Sequence, residues 1–122
     1  MTEVRLSFKE MCAKFDVTPR TLHYYEYIEL LTPEREGRSR FYGPREIARM
    51  TLIMRGRRFG FPLEDIRQWL LIRDEEGDQA QMRLWVDKAS AQLDELADQR
   101  RQLDETMAEL EKLRDDVANT LA

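Results

Sequence analysis

Histidine occurs once among the 122 residues, at position 23, within the stretch TPRTLHYYE that runs from Thr18 to Glu26. Arg20, Thr21, Tyr24 and Tyr25 surround it, so hydroxyls, a guanidinium and an imidazole are crowded onto about two turns of chain. Such a set serves either catalysis or recognition. A general base needs an oriented partner and a pocket. The sequence offers no second histidine, nucleophile motif, phosphate-cradling glycine loop or supported carboxylate pair, so it argues against an enzyme. Taken alone, the stretch reads as an ordinary helix with Leu22 and Tyr25 in a core and His23 and Tyr24 in solvent. The arginines downstream, Arg35, Arg38 and Arg40, shift the reading towards recognition. A helix offering Thr, Arg, His and Tyr can enter a major groove while basic residues beside it hold phosphates.

Metal and thiol chemistry have little to work with. Cys12 is the sole cysteine, which excludes an intrachain disulfide and a zinc site built from several thiolates. It falls on an apolar helical face and reads as a packed core residue. No metal and no cofactor is expected.

The elements that must position these residues follow from periodicity and punctuation. Phe8, Met11, Cys12 and Phe15 lie at i, i+3, i+4, i+7, which predicts a short amphipathic helix with Ser7 as N-cap. After a three-residue turn, Thr18 caps a second helix and Pro19 takes its first position, carrying the chain to about Tyr27. Helix, turn, helix is the result. Pro33, Gly37, Gly43 and Pro44 then punctuate a two-stranded hairpin: LLTPE leads in, EGRS turns and RFY returns. Pro44 opens a third helix with Ile47, Met50, Ile53 and Met54 inward and Arg45, Arg49, Arg55, Arg57 and Arg58 outward, ending at Gly60. Pro62 opens a fourth, with Leu63, Ile66, Trp69 and Leu70 at core spacing. Trp69 and Trp85 are candidates to line a small ligand site, although their helical spacing favours core. The expected organisation is a DNA-binding head over 1–73, a polar junction over 74–81 and a long helix over 82–122.

That long helix lacks Gly and Pro, and its apolar residues fall on heptad positions. Met82, Ala89, Leu96, Leu103, Leu110 and Val117 fall on d; Val86, Leu93, Arg100, Met107, Arg114 and Leu121 fall on a. More than five heptads predict a coiled coil. A parallel pair would set Arg100 and Arg114 each against its own copy, whereas an antiparallel pair sets a against d and avoids those encounters. A homodimer through Val86, Leu93, Leu96, Arg100, Leu103, Met107, Leu110 and Val117 is expected. Charge divides along the same line: residues 1–72 hold 13 Lys+Arg against 10 Asp+Glu, and residues 73–122 hold 7 against 14. The net charge of -4 therefore conceals a basic head and an acidic arm. With no secretion signal, no apolar run near the roughly 20 residues of a membrane span, and no membrane partner, the expected location is the cytoplasm.

VTPRTLHYYE, followed by LLTPEREGRSRFYGPREIARMTLIMRGRRFGFPLEDI, resembles the winged-helix domain of the MerR family of bacterial transcription regulators from Leu6 to about Leu71. The resemblance implies a mostly α fold: a winged helix-turn-helix domain followed by a long dimerisation helix in an antiparallel coiled coil. It implies DNA-facing positions at Thr18, Arg20, Thr21, His23 and Tyr24, and wing contacts at Arg35, Arg38, Arg40 and Tyr42. It also implies double-stranded promoter DNA and RNA polymerase as partners, with bending and untwisting of the DNA between promoter elements. Two residues depart from the pattern. His23 stands where arginine is common, replacing a bidentate guanine reader with a weaker group. Glu29 stands where glycine is usual, so either the turn differs or it carries about 1 kcal/mol of strain. The wording is closest to a metal-free subgroup linked to acyl-CoA and branched-chain amino-acid catabolism. No separate ligand domain is expected after the coiled coil, and the small-molecule effector is unspecified. Two other classes fit the head alone: an architectural DNA-bending factor of the recombination directionality type, and a protein-interaction adaptor using the acidic helix.

Overall fold

The computed structural model describes residues 4–122. In chain order the elements are β1 (Leu6–Ser7), α1 (Phe8–Phe15), α2 (Pro19–Tyr27), β2 (Glu34–Glu36), β3 (Ser39–Tyr42), α3 (Pro44–Arg58), α4 (Leu63–Glu76) and α5 (Asp78–Leu121). The mostly helical fold with a small wing matches the expectation.

Local chemistry fixes the first two helices. Ser7 closes a capping box: its hydroxyl accepts the Glu10 N–H at 3.2 Å while the Glu10 carboxylate accepts the Ser7 N–H at 3.0 Å. Asp16 ends α1 in the left-handed region at φ 51°. Thr18 then caps α2, accepting the Thr21 N–H at 3.1 Å, and Pro19 occupies the first turn. At the far end of α2, the Leu30 N–H returns to the Tyr25 carbonyl at 2.9 Å, which needs Glu29 at φ 64°. The turn therefore keeps its left-handed residue and places a glutamate in it, resolving the alternative left open above. Leu30 and Leu31, expected to lead into a strand, are instead buried in the core.

The wing has a third strand that the sequence reading did not anticipate. The sheet order is β1-β3-β2, with Leu6 opposite Tyr42 and Ser7 opposite Phe41. Two residues are too short to show a period of two, so β1 is defined only by its partner. Gly37, at φ +60°, is the first residue of a two-residue hairpin loop, where a positive φ is needed.

The core cluster draws on every layer of the head: Met11, Leu22, Leu30, Leu31, Tyr42, Met50 and Ile53 are fully enclosed. Gly56 allows α3 and α4 to approach, since a Cβ there would lie 2.9 Å from Ile66. Glu46, on the first turn of α3, is buried and accepts the Thr32 N–H at 2.9 Å, pinning the loop before the wing.

The expected junction over 74–81 contracts to Gly77, because α4 runs through Glu76 and α5 starts at Asp78. Polarity there marks exposure, not irregular backbone. The first turns of α5 dock on the head. Gln81 and Trp69 exchange hydrogen bonds at 3.1 and 3.2 Å, Lys88 pairs with Asp65 at 3.5 Å, and Gln92 donates to the Phe59 carbonyl at 2.7 Å. Beyond Gln92, the hydrogen bonds and ion pairs of α5 among the described residues stay within the helix. With 44 residues, α5 is about 66 Å long at 1.5 Å per residue, and it contains no buried residue.

Candidate nucleic-acid interface

Helical geometry sorts the residues of α2. Leu22 and Tyr25 turn inward, while Arg20, His23 and Tyr24 stand exposed on the remaining surface. Thr18 and Thr21 are joined at 3.0 Å through their hydroxyls, which orients the exposed first turn. Next to it lies the hairpin. Arg35 and Arg40 are cross-strand partners, so they leave the same face of the wing.

Alternation along β3 separates two chemistries. Phe41 faces away from α2, and Arg5 lies 4.0 Å over its ring while bonding Glu36 at 2.7 Å and Glu34 at 3.3 Å. The Arg5 hydrogen bond holds the Glu36 carboxyl below the usual carboxylate range. The wing acids are thereby tied down on the face opposite Arg35 and Arg40. Arg40 and Tyr42 point towards α2 and converge on Glu26, whose side chain is 10% exposed. The Tyr42 hydroxyl donates to Glu26 Oε2 at 2.6 Å. Arg40 Nε lies 3.1 Å from Oε1, but its N–H does not aim at that oxygen: the contact is an ion pair without a directed hydrogen bond. His23 Nδ1 is 3.8 Å from the same oxygen, and its ring packs at 4.7 Å on Phe8.

Tyr42 therefore needs correcting. Read from the sequence as a wing contact, it is fully buried and serves as the strut between wing and α2. The cause is the period of two, which turns Tyr42 inward along with Arg40 while a bulky aromatic gains most by burial. Burial, reinforced by the hydrogen bond to Glu26, pushes its phenol far above the ordinary value, so it remains a donor.

His23, Arg38 and Arg40 share one concavity of about 310 Å³ with Lys9, and Lys9 was not singled out from the sequence. Its position at the exposed start of α1 gives no periodic signal. Tyr24 opens instead onto a second hollow with Tyr27, Leu63 and Arg67. Arg20 and Arg35 are exposed outside both. A duplex set against α2 and the wing would meet cations from three elements around a floor of hydrogen-bonding side chains. That is the geometry for phosphate clamping beside base-edge contact.

On the arm, Val86, Leu93, Leu103, Leu110 and Val117 are 60 to 66% exposed, and Leu96, Met107 and Leu121 join the same stripe. Leu113 is exposed beside it, which the strict heptad reading omitted. Arg100 is exposed within the stripe. Among the described residues no cluster of three or more His, Cys, Asp or Glu side chains could hold a metal, and no helix is long and apolar enough to cross a membrane.

A three-stranded wing, a capped helix-turn-helix and basic residues on their shared surface define a winged-helix DNA-binding protein. Two family models extend this: "MerR HTH family regulatory protein" matches residues 6–71, and "MerR, DNA binding" matches residues 47–113. An uncharacterised HTH-type transcriptional regulator of Pseudomonas aeruginosa, PA4778, is 33% identical over 115 residues, covering 90% of this chain and 78% of that protein. The fold is similar to that of a MerR family regulator from Bacillus cereus, with a TM-score of 0.75 at 24% identity over 89% of this chain and 79% of that one. It also resembles HiNmlR, a MerR family regulator lacking the sensor domain and solved on promoter DNA, with a TM-score of 0.64 at 18% identity over 83% and 80% of the two chains. The chain belongs to the MerR family of helix-turn-helix transcription regulators.

Proposed function

We propose that this regulator acts as a homodimer whose two heads, each within residues 1–73, grip a near-palindromic promoter site through α2 and the wing. The observation that carries the reading is the concavity where His23 of α2 meets Arg38 and Arg40 of the wing. The arm over 82–122 joins the copies in antiparallel fashion along Val86, Leu93, Leu96, Leu103, Met107, Leu110 and Val117, with the Arg100 stem lying over the partner's stripe. So much exposed apolar surface in a row needs a partner, and an isolated helix has none. Base-edge contact comes from Arg20, Thr21, His23 and Tyr24, and Thr18 sets the helix start. Arg35, Arg38 and Arg40 hold phosphates.

HiNmlR, a MerR family regulator of similar fold, is solved on promoter DNA, which supports a promoter duplex as the target. Bending and untwisting the duplex between promoter elements, with RNA polymerase as the beneficiary, is the mechanism that fits two heads on a rigid arm. The protein works by binding, not catalysis, in the cytoplasm. Footprinting on the promoter beside its own gene tests this. Two protected half-sites about 34 Å apart are expected, and inserting about half a helical turn between them should abolish high-affinity binding. A single half-site protected with undiminished affinity would refute the two-headed reading.

A further inference from the structure

An apolar cavity of about 280 Å³ opens where the end of α3 meets α4 and the first turns of α5. Its volume is near the lower end for small-molecule sites. Trp85 of α5 lines it, with its ring centroid 5.7 Å from that of Trp69 of α4, 5.8 Å from Phe61 and 6.4 Å from Phe59. Four rings, two from the connection between α3 and α4 and one each from α4 and α5, thus line it, and rings tilted against one another in this way receive another ring well. The indole N–H of Trp69 is already committed to the Gln81 carbonyl, so the body of an occupant finds apolar surface in place of a donor there.

The polar groups at the rim are unbalanced. Lys88 is paired with Asp65 at 3.5 Å. Arg55, exposed on α3, lines the same cavity and forms no ion pair among the described residues. One unmatched positive charge beside an aromatic box suits a monoanion. The walls are also the parts that seat the arm: Gln81 bonds Trp69, and Gln92 bonds the carbonyl of Phe59. A molecule wedged among them would change the angle between arm and head, and with it the spacing of two heads.

We propose that this cavity is an effector site for a small aromatic monocarboxylate, its ring among Phe59, Phe61, Trp69 and Trp85 and its carboxylate on Arg55. The effector role rests on the regulator reading; occupancy of the cavity does not. The chain's two tryptophans both line the site, so their emission reports it directly. The full-length protein, without DNA, is titrated with phenylacetate, 2-naphthoate and uncharged 2-phenylethanol. Saturable change with both acids is expected, with the alcohol about fivefold weaker, since an exposed guanidinium adds about that factor. Arg55→Gln should bring phenylacetate down to the level of the alcohol while leaving the alcohol unchanged. The side chain is exposed, and an unaltered circular dichroism spectrum checks the fold.

No saturable response to any probe overturns the proposal, as does equal affinity for acid and alcohol. Probes that bind only after Leu103→Asp separates the copies would also overturn it, because a second copy's arm would then be the true occupant. Failure to bind DNA would leave every one of these outcomes unaffected, so the two readings fail separately.

Discussion

At the scale of single residues, Glu26 organises the surface where α2 meets the wing. Its carboxylate receives Tyr42 from the wing, sits beside Arg40 and lies near His23, so α2 and the wing share one buried anion. Tyr42→Phe removes the donor and leaves that anion short of a hydrogen bond, which should cost about 1–3 kcal/mol in urea unfolding. The pH dependence follows from the same burial. Tyr42 and Tyr25 both have folded-state values raised above the ordinary 10.0, each chiefly by desolvation. A raised value means the folded protein holds the proton more tightly than the unfolded chain. This contribution is complete below pH 10 and is lost progressively as the pH climbs towards the folded-state values. Stability of the wild type should therefore fall on the alkaline side, and less steeply in Tyr42→Phe. Arg40→Ala should weaken binding to all duplexes alike and flatten the salt dependence, whereas His23→Ala should change which base is preferred at one operator position. Equal losses on every operator variant from both substitutions would contradict these roles.

At the scale of elements, two left-handed residues set the ends of the first two helices. Aspartate is among the residue types that tolerate that region, so Asp16 sits there at little cost, whereas Glu29 is of a type that does not. Glu29→Gly should relieve the strain. Against roughly 1–2 kcal/mol of left-handed cost stands about 0.5–1 kcal/mol of extra glycine entropy, leaving a net gain of about 0.5–1 kcal/mol, visible as a higher Tm. Gly37, at φ +60° in the hairpin loop, has open space around it, so a substitution there is opposed by backbone strain alone. Gly37→Val should loosen the wing and weaken DNA binding while the core transition changes little.

At the scale of the whole molecule, head and arm use apolar residues in different ways. The head encloses its core from Met11 to Leu70, whereas no residue of the arm is fully enclosed within one chain. Leu103→Asp places a charge in the middle of the exposed stripe and should give monomers by sedimentation, with an intact head and little affinity for a two-half-site operator. A variant that stays dimeric would place the contact elsewhere on α5.

The helices were legible in the chain alone, because capping and periodicity are local. Ser7, Thr18, Pro19 and Pro44 mark helix starts through interactions that span no more than a turn. The heptads from Met82 onward needed only the identity of every third or fourth residue. The adjacency of α2 to a basic wing was legible once Arg35, Arg38 and Arg40 followed it. Tertiary structure alone decided what depends on residues far apart in the chain. Strand β1 exists through its pairing with β3, and Glu26 becomes a hub only when the wing folds back 16 residues later in the chain. Tyr42 is a buried strut for the same reason. Trp85 meets Phe59, Phe61 and Trp69 because α5 doubles back at Gly77 onto α4. Local propensity is written in neighbouring residues, whereas burial and charge pairing depend on which distant surfaces the packed chain brings within a few ångströms.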